Sequence, residues 1–172
     1  EHGTLLYETM RCIGRIAFPV FAFLIAEGFI HTRSRYRYFF TLLGFAVISE
    51  IPWYLLNGAD GTHNVMFTLA LGVATLMVLE NLLQRSLIQG FLWTLGMAGL
   101  ASWLGVDYEW RGILVIVIFY LFKEYGDSFP YSRGMQFFCT FTLMMYYGIT
   151  GILLAHFVIS RYDGTRGFIH SM

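Results

Sequence analysis

The sequence predicts an all-α protein, a polytopic integral membrane bundle of about six apolar helices. Of its 172 residues, 57% are hydrophobic and only 13% are charged, about half the charged fraction of a typical soluble domain. Mean hydropathy is +0.61. Apolar runs recur from Cys12 to Ser160, which excludes a signal peptide followed by a soluble domain. The formal net charge of zero provides no basic field that would indicate nucleic-acid binding.

Polar breaks divide the chain into the predicted helices, with apolar runs at residues 12–33, 38–56, 64–83, 87–105, 112–122 and 135–160. The fifth run has only about half of the roughly 20 residues that a helical span needs. Its helix therefore either begins near Tyr108 or is short and supported by its neighbours. The sixth run is interrupted at Tyr146-Tyr147-Gly148. No internal repeat or low-complexity tract is present, so we expect one domain over residues 1–172.

Both ends of the sequence look cut from a longer polypeptide. The chain opens at Glu1 without an initiator methionine and closes at Met172 without a final hydrophobic helix. We therefore expect further helices in the full-length protein.

The distribution of basic residues predicts an orientation. Short loops that are rich in Lys and Arg stay on the cytoplasmic side of a membrane. The loop after the first run contains Arg33, Arg35 and Arg37, whereas residues 57–63 contain no Lys or Arg. This pattern predicts a multi-pass protein of the cell membrane, surrounded by the lipid bilayer, with the first loop inside and the second outside. Residues 1–11, which include His2, then lie on the outer side.

The first apolar run contains charges that a lipid-facing helix would exclude. Arg15 and Glu27 lie inside the run, and His31 and Arg33 end it. A charge at the bilayer centre costs about 2.5–3.5 kcal/mol on insertion scales. Arg15 and Glu27 are separated by about 18 Å along a helix, so each needs another partner. Such residues either anchor a neighbouring helix or belong to a functional site. Several other polar groups occur nearby in the sequence, and this favours the functional site.

Several of these polar groups are spaced by one helical turn. Glu27 lies one turn before His31, so that its carboxylate can orient the imidazole. Glu50 is a second carboxylate inside an apolar run, and it is either the counter-ion of an arginine or a site residue. Asn64 and Thr68 share a helical face, and their simplest interpretation is an N-cap and an interhelical hydrogen bond.

The remaining titratable residues carry weaker signals. His2 lies at the mouth of the polar cluster and is the natural general base, because imidazole exchanges protons near neutral pH. Glu1 is adjacent to His2, but adjacent side chains on one helix do not face each other, so Glu1 is not a certain partner of His2. We interpret His63 as an interface residue, His156 as a packing residue and Glu80 as solvated. Cys12 and Cys139 have no CxxC or Cys/His spacing, so no metal site is predicted.

The order and spacing of the polar residues resemble the TraX family of membrane proteins. The matching segments are 14–23 (GRIAFPVFAF), Glu27-Gly28, His31-Thr32-Arg33, 48–52 (ISEIP) and 64–69 (NVMFTL), with looser matches at 112–114 and 162–167. The close part of the resemblance covers about the first 75 residues. The sequence departs from the family pattern at Glu1, where the family has Asp, and at Asp163, where the family has Asn.

The resemblance implies a multispanning acetyltransferase that moves an acetyl group from acetyl-CoA to an amine of a peptide, protein or small molecule. The family's namesake acetylates the N-terminal amine of a conjugative pilin. By this resemblance the catalytic residues are His2 as general base, Glu1 beside it and Arg15 at the developing oxyanion, with direct transfer and no metal. The substrate-binding and cofactor-binding residues are Glu27, His31, Arg33, Arg35, Arg37, Glu50, Asn64 and Thr68. The three arginines would receive the phosphates of the coenzyme.

Two other functions fit the same residues. In a small secondary transporter, Arg15, Glu27 and Glu50 would form a substrate or proton relay, although no inverted repeat is present. In a structural membrane subunit, the charges would only pair with one another. Replacement of His2 separates the enzyme from the structural subunit, because only the enzyme would lose its turnover.

Overall fold

In a computed structural model, the described residues are 5–58, 61–126, 131–145 and 149–162, with side chains described in these ranges except at 5–15, 56–57 and 149–150. They form seven α-helices: α1 (Leu5–His31), α2 (Arg35–Asn57), α3 (Val65–Leu83), α4 (Leu87–Trp103), α5 (Glu109–Tyr125), α6 (Ser132–Met144) and α7 (Ile149–Ser160). The prediction of an all-α fold is confirmed.

The helices number seven rather than six because the sixth apolar run contains two of them. α6 ends before the predicted interruption at Tyr146-Tyr147-Gly148 and α7 begins after it. The fifth run follows the first of the two predicted alternatives, since α5 begins at Glu109 with Tyr108 as its N-cap residue.

Side-chain caps set the starts of two helices at their predicted breaks. The Asn64 Oδ1 accepts the backbone N–H of Met66 at 2.9 Å, which confirms the predicted N-cap of α3. The Ser34 Oγ accepts the N–H of Arg37 and begins α2 in the same way. α2 ends at Asn57 and is followed by its C-cap residue Gly58, whose φ of 75° is open to glycine at little steric penalty.

α3 lies at the centre of the bundle, where it packs against α1, α2, α4 and α5. The core of α3 and α5 consists of fully buried aliphatic side chains, among them Val73, Leu76, Ile113 and Ile116. α1 packs on α5 and α3, and α7 covers another side of α1. This arrangement places the polar ends of α1, α2, α3 and α5 close to one another.

Among the described residues, two helices meet the length and composition expected of a membrane span. They cover residues Arg35–Leu55 of α2 and Val65–Leu83 of α3. Length and composition are the whole basis of this finding, since a core helix of a soluble protein can meet the same criterion. α3 is more enclosed by its neighbours than α2, of which little is buried.

Candidate functional site

Polar side chains gather at two opposite ends of the bundle. At the first, which we call the arginine end, Arg35 at the start of α2 pairs with Glu80 near the end of α3, and Lys123 near the end of α5 pairs with Glu27 of α1. At the second, the His63 end, the last part of α2 meets the loop before α3 and the loop between α4 and α5. The two ends are separated by most of the length of α3, about 24 Å.

The centre of the His63 end is a hydrogen-bonded group of Glu50, His63 and Asn64. One carboxylate oxygen of Glu50, Oε1, lies 2.6 Å from the His63 Nδ1. The other, Oε2, accepts the Asn64 side-chain N–H at 2.6 Å and its backbone N–H at 3.3 Å. The Asn64 amide also donates to the Ala46 carbonyl at 2.9 Å. Both oxygens of Glu50 are therefore engaged, and the carboxylate has a defined orientation.

The backbone of His63 is held as firmly as its ring. Its N–H donates to the Gly105 carbonyl at 3.0 Å, and its own carbonyl accepts the N–H of Asp107 at 3.1 Å. These two bonds form a short parallel bridge between the loops. Gly105 is required here, because its φ is +65° and a Cβ would lie 2.7 Å from the Gly61 carbonyl oxygen. The His63 side chain remains 43% exposed, although its Nδ1 is engaged by Glu50.

A second layer of contacts connects the His63 end to α1. The Thr68 hydroxyl donates to the Asp107 carbonyl, and Gly112 of α5 lies against the Thr68 methyl group. The Phe18 ring of α1 stacks on Tyr108 with centroids 3.8 Å apart. Burial raises the pKa of the Asp107 carboxyl, and the hydrogen bond from the Tyr108 N–H opposes this effect.

Arg15 belongs to the same end of the molecule by its position on α1. It precedes Phe18 by one helical turn, and the Phe18 ring contacts the α5 start. Its side chain lies outside the described part of the structure. Glu1 and His2 lie outside the described residues altogether, so their predicted roles stay predictions.

The arginine end contains a buried carboxylate between two basic groups. The Glu27 side chain is 9% exposed, with the Lys123 Nζ 3.1 Å from its Oε2 and the His31 Nδ1 3.7 Å from its Oε1. The Lys123 Nζ is within hydrogen-bond distance of Oε2, but its angle is unsuitable, so Oε2 accepts no hydrogen bond. The His31 ring instead lies 2.9 Å from the Glu27 backbone carbonyl. The predicted pairing of Glu27 with His31 is thus close, and the principal partner is Lys123.

The three arginines of the first loop do not share one environment. Arg35 is paired with Glu80 and lies over the Phe29 ring, 4.7 Å from its centroid. The expectation that Glu80 is solvated is met only in part: its side chain is 25% exposed, but the fold brings the ends of α2 and α3 together and pairs it with Arg35. Arg33 and Arg37 are exposed.

Two functional candidates, His63 and Lys123, were not singled out by the sequence. His63 was interpreted as an interface residue, and the structure pairs it with Glu50 instead. The sequence signal for the Glu50–His63 pair was the position of both residues near the short loop that joins α2 to α3.

The predicted packing role of His156 is confirmed, because its ring lies 2.6 Å from the Thr140 hydroxyl and against the Phe137 ring. Within the described ranges, no group of three or more His, Cys, Asp or Glu residues could hold a metal ion.

Comparison with known proteins identifies the family. The family model described as "TraX protein" matches residues 4–160, nearly the whole chain. The chain belongs to the TraX family. The TraX match extends well beyond the segments that carried the resemblance and includes both polar ends of the bundle.

One curated protein similar to this TraX chain is the "probable fimbrial assembly protein FimC, serogroup H1" of Dichelobacter nodosus. The two are 34% identical over an alignment of 110 positions, and the match covers 57% of this chain and 45% of the relative. The chain thus spans less than half the length of that relative. No solved structure matches the chain.

Proposed function

We propose that this TraX-family chain is a membrane-embedded acetyltransferase that transfers an acetyl group from acetyl-CoA to an amine. The family match over residues 4–160 carries the proposal. The curated relative is named for fimbrial assembly, and this favours the N-terminus of a pilin or fimbrial subunit as the acceptor.

The exposed surface supports a position within a bilayer. α2 and α4 each expose a row of large apolar side chains, and Leu55 and Trp103 at their ends are 79% and 81% exposed. The other members are Phe40, Phe45, Ile48, Ile51, Leu87, Ile88, Phe91 and Leu92. Apolar surface of this extent on a soluble monomer would be an aggregation hazard, whereas lipid covers it without penalty.

The arginine end is the proposed binding site for the donor. Arg33 and Arg37 are exposed there and available to phosphate oxygens, with Lys123 close by. Arg35 is already paired with Glu80 and is better placed to hold α2 against α3. Glu27 would set the position of Lys123 and His31 rather than contact the anionic donor, since two negative groups repel each other.

The chemistry is proposed for the opposite end, where α1 begins, so the pantetheine arm of the donor would thread the bundle to bring its thioester there. His2 would accept a proton from the acceptor nitrogen as the nitrogen attacks the thioester carbonyl. The new N–C bond forms as the C–S bond breaks, and the leaving thiolate takes the proton from His2. Glu1 would assist His2, and Arg15 would stabilise the oxyanion; one such donor is worth about 3 kcal/mol.

Asn64 and Thr68 would support this site indirectly. Both amide hydrogens of Asn64 are used by Glu50 and Ala46, and the Thr68 hydroxyl is used by Asp107. The two residues are therefore proposed to position Glu50 and the α4–α5 loop rather than to donate to the oxyanion.

The decisive test uses purified full-length protein in detergent with acetyl-labelled acetyl-CoA and a panel of pilin peptides, lipids and amino sugars. We expect label on an acceptor amine and release of the coenzyme thiol. His2→Ala should lose nearly all turnover while its melting temperature stays near that of the wild type. His156→Gln, a histidine that packs between α6 and α7 against Thr140 and Phe137, is the matched control and should stay active. No thioester consumption with any acceptor would exclude the enzyme and leave the transporter or structural alternatives.

A further inference from the structure

Glu50 sets the protonation pattern of the His63 ring. A carboxylate with no proton can only accept, so the His63 nitrogen 2.6 Å from Glu50, Nδ1, carries the hydrogen. In the neutral ring the lone pair then lies on Nε2. Because the His63 backbone is bonded on both sides and the ring is held by Glu50, Nε2 is an oriented proton acceptor on a half-exposed side chain.

This arrangement is unnecessary for a purely structural loop. The backbone bonds of His63 to Gly105 and Asp107 join the two loops without its side chain. Asn64 caps α3 and binds Ala46 without it as well. The carboxylate–imidazole pair therefore adds an acid–base group to a loop that is already secured.

The proposed reaction requires a second proton transfer in addition to the one assigned to His2. Peptide α-amino groups have a pKa of roughly 8 and lysine side chains roughly 10, so an acceptor amine arrives mostly as its ammonium form. Acetylation removes two hydrogens from that nitrogen: one ends on the coenzyme thiol and one must leave to water. The first must be removed before the nitrogen has a lone pair with which to attack.

We propose that the Glu50–His63 pair receives the cationic acceptor and removes this first proton at the His63 Nε2, delivering it to solvent. The inference rests on the acetyltransferase function proposed above and adds a residue to it. His63 is the catalytic residue of this step, and Glu50 is a positioning residue that also attracts the positive charge of the ammonium.

The surroundings of His63 suit a group that must exchange protons with water. The titratable or charged residues on the elements around it are Glu50 and Tyr54 of α2, then Asp107, Tyr108, Glu109 and Arg111 at the α5 start. Glu50 bonds to the His63 ring, and the Phe67 ring lies 5.4 Å from it on α3. Arg111 and, by its position on α1, Arg15 are the cationic residues at this end, against the acidic residues Glu50, Asp107 and Glu109. The Glu50 carboxylate, which is bonded to the ring, is the negative group nearest to an ammonium ion at His63.

The test compares pH–rate profiles of full-length wild type, His63→Gln and Glu50→Gln with one peptide acceptor. Glu50→Gln keeps the shape of the side chain, but its amide can donate to Nδ1 and move the ring hydrogen to Nε2. At pH 7 we expect both variants to lose up to about tenfold in kcat/KM, because roughly a tenth of a peptide α-amine is neutral at that pH without their help. The loss should shrink as the pH approaches the amine pKa, because the acceptor then deprotonates by itself. Glu109→Gln, an exposed carboxylate at the same end, should follow the wild-type profile.

A second acceptor separates this inference from the proposed function. The same peptide with a 4-aminobenzoyl group at its N-terminus presents an aromatic amine that is uncharged at pH 7. The His63 and Glu50 variants should acetylate it at close to the wild-type rate, whereas His2→Ala should fail with both acceptors. Equal losses with both acceptors, or profiles parallel to wild type at every pH, would overturn the role of His63. Wild-type protein inactive with every acceptor would instead overturn the acetyltransferase itself. If His63→Gln does not fold, the Glu50→Gln profile decides.

Discussion

Glu27 shows how a buried charge in this protein depends on one partner. Its carboxylate is almost fully buried and faces Lys123, while its Oε2 accepts no hydrogen bond. A buried ionised group is tolerated because an opposite charge lies close by, and loss of that charge leaves the whole desolvation penalty.

We therefore predict that Lys123→Met destabilises the protein by about 1–3 kcal/mol, the usual penalty of a buried polar group left without its partner. Glu27→Gln/Lys123→Met should recover most of the loss, since the double variant contains no unpaired charge. Thermal unfolding in detergent measures both. If Lys123→Met is as stable as the wild type, solvent rather than Lys123 stabilises the buried charge of Glu27.

At the scale of the element, the close approach of α3 and α5 depends on Gly112. A Cβ built at Gly112 would lie 2.5 Å from the Thr68 Cγ2, 3.1 Å from the Tyr108 Cβ and 3.3 Å from the Phe18 Cζ. The hydroxyl of Thr68 is bonded to Asp107, so its methyl group has little freedom to rotate away. Small residues at such contacts let two helix backbones approach each other.

Gly112→Ala should cost about 1–3 kcal/mol in the free energy of unfolding, as overpacking generally does. Adding Thr68→Ser removes the clashing methyl group but keeps the hydroxyl, and should restore most of the stability. Gly96→Ala is the control: nothing lies within 4 Å of its Cβ position on α4, so it should be neutral or slightly stabilising. Equal effects of the two glycine substitutions would contradict the packing argument.

For the whole molecule, the separation of the two polar ends has a consequence for topology. Tyr36 lies at the arginine end and Thr62 at the His63 end, and both are exposed. If the bundle spans a membrane in the orientation that the arginines predict, these residues lie on opposite sides.

We expect Thr62→Cys to react with a membrane-impermeant maleimide on intact cells, and Tyr36→Cys to react only in inverted vesicles. The background is the full-length protein with every native cysteine, Cys12 and Cys139 included, replaced by serine. Labelling of both positions from one side would contradict a spanning bundle, and exchange of the two results would reverse the orientation.

The all-α class, the approximate helix boundaries and the family were within reach of the sequence, because they depend on local patterns. Apolar run length, the Asn64 cap and the order of the polar motifs are all readable along the chain. The sequence also singled out Glu27 and Glu50, because a carboxylate inside an apolar run can be recognised before its partner is known.

The identity of those partners was decided by tertiary structure alone. Lys123 is remote from Glu27 in sequence, and Arg35 is equally remote from Glu80; no periodicity links them, and only the alternating directions of the helices bring them together. His63 likewise became a candidate proton acceptor only because a turn returns it to Glu50 and a second loop holds its backbone. The physical reason is that a side chain's type and burial follow from the chain itself, whereas its partner depends on which helix ends pack together in space.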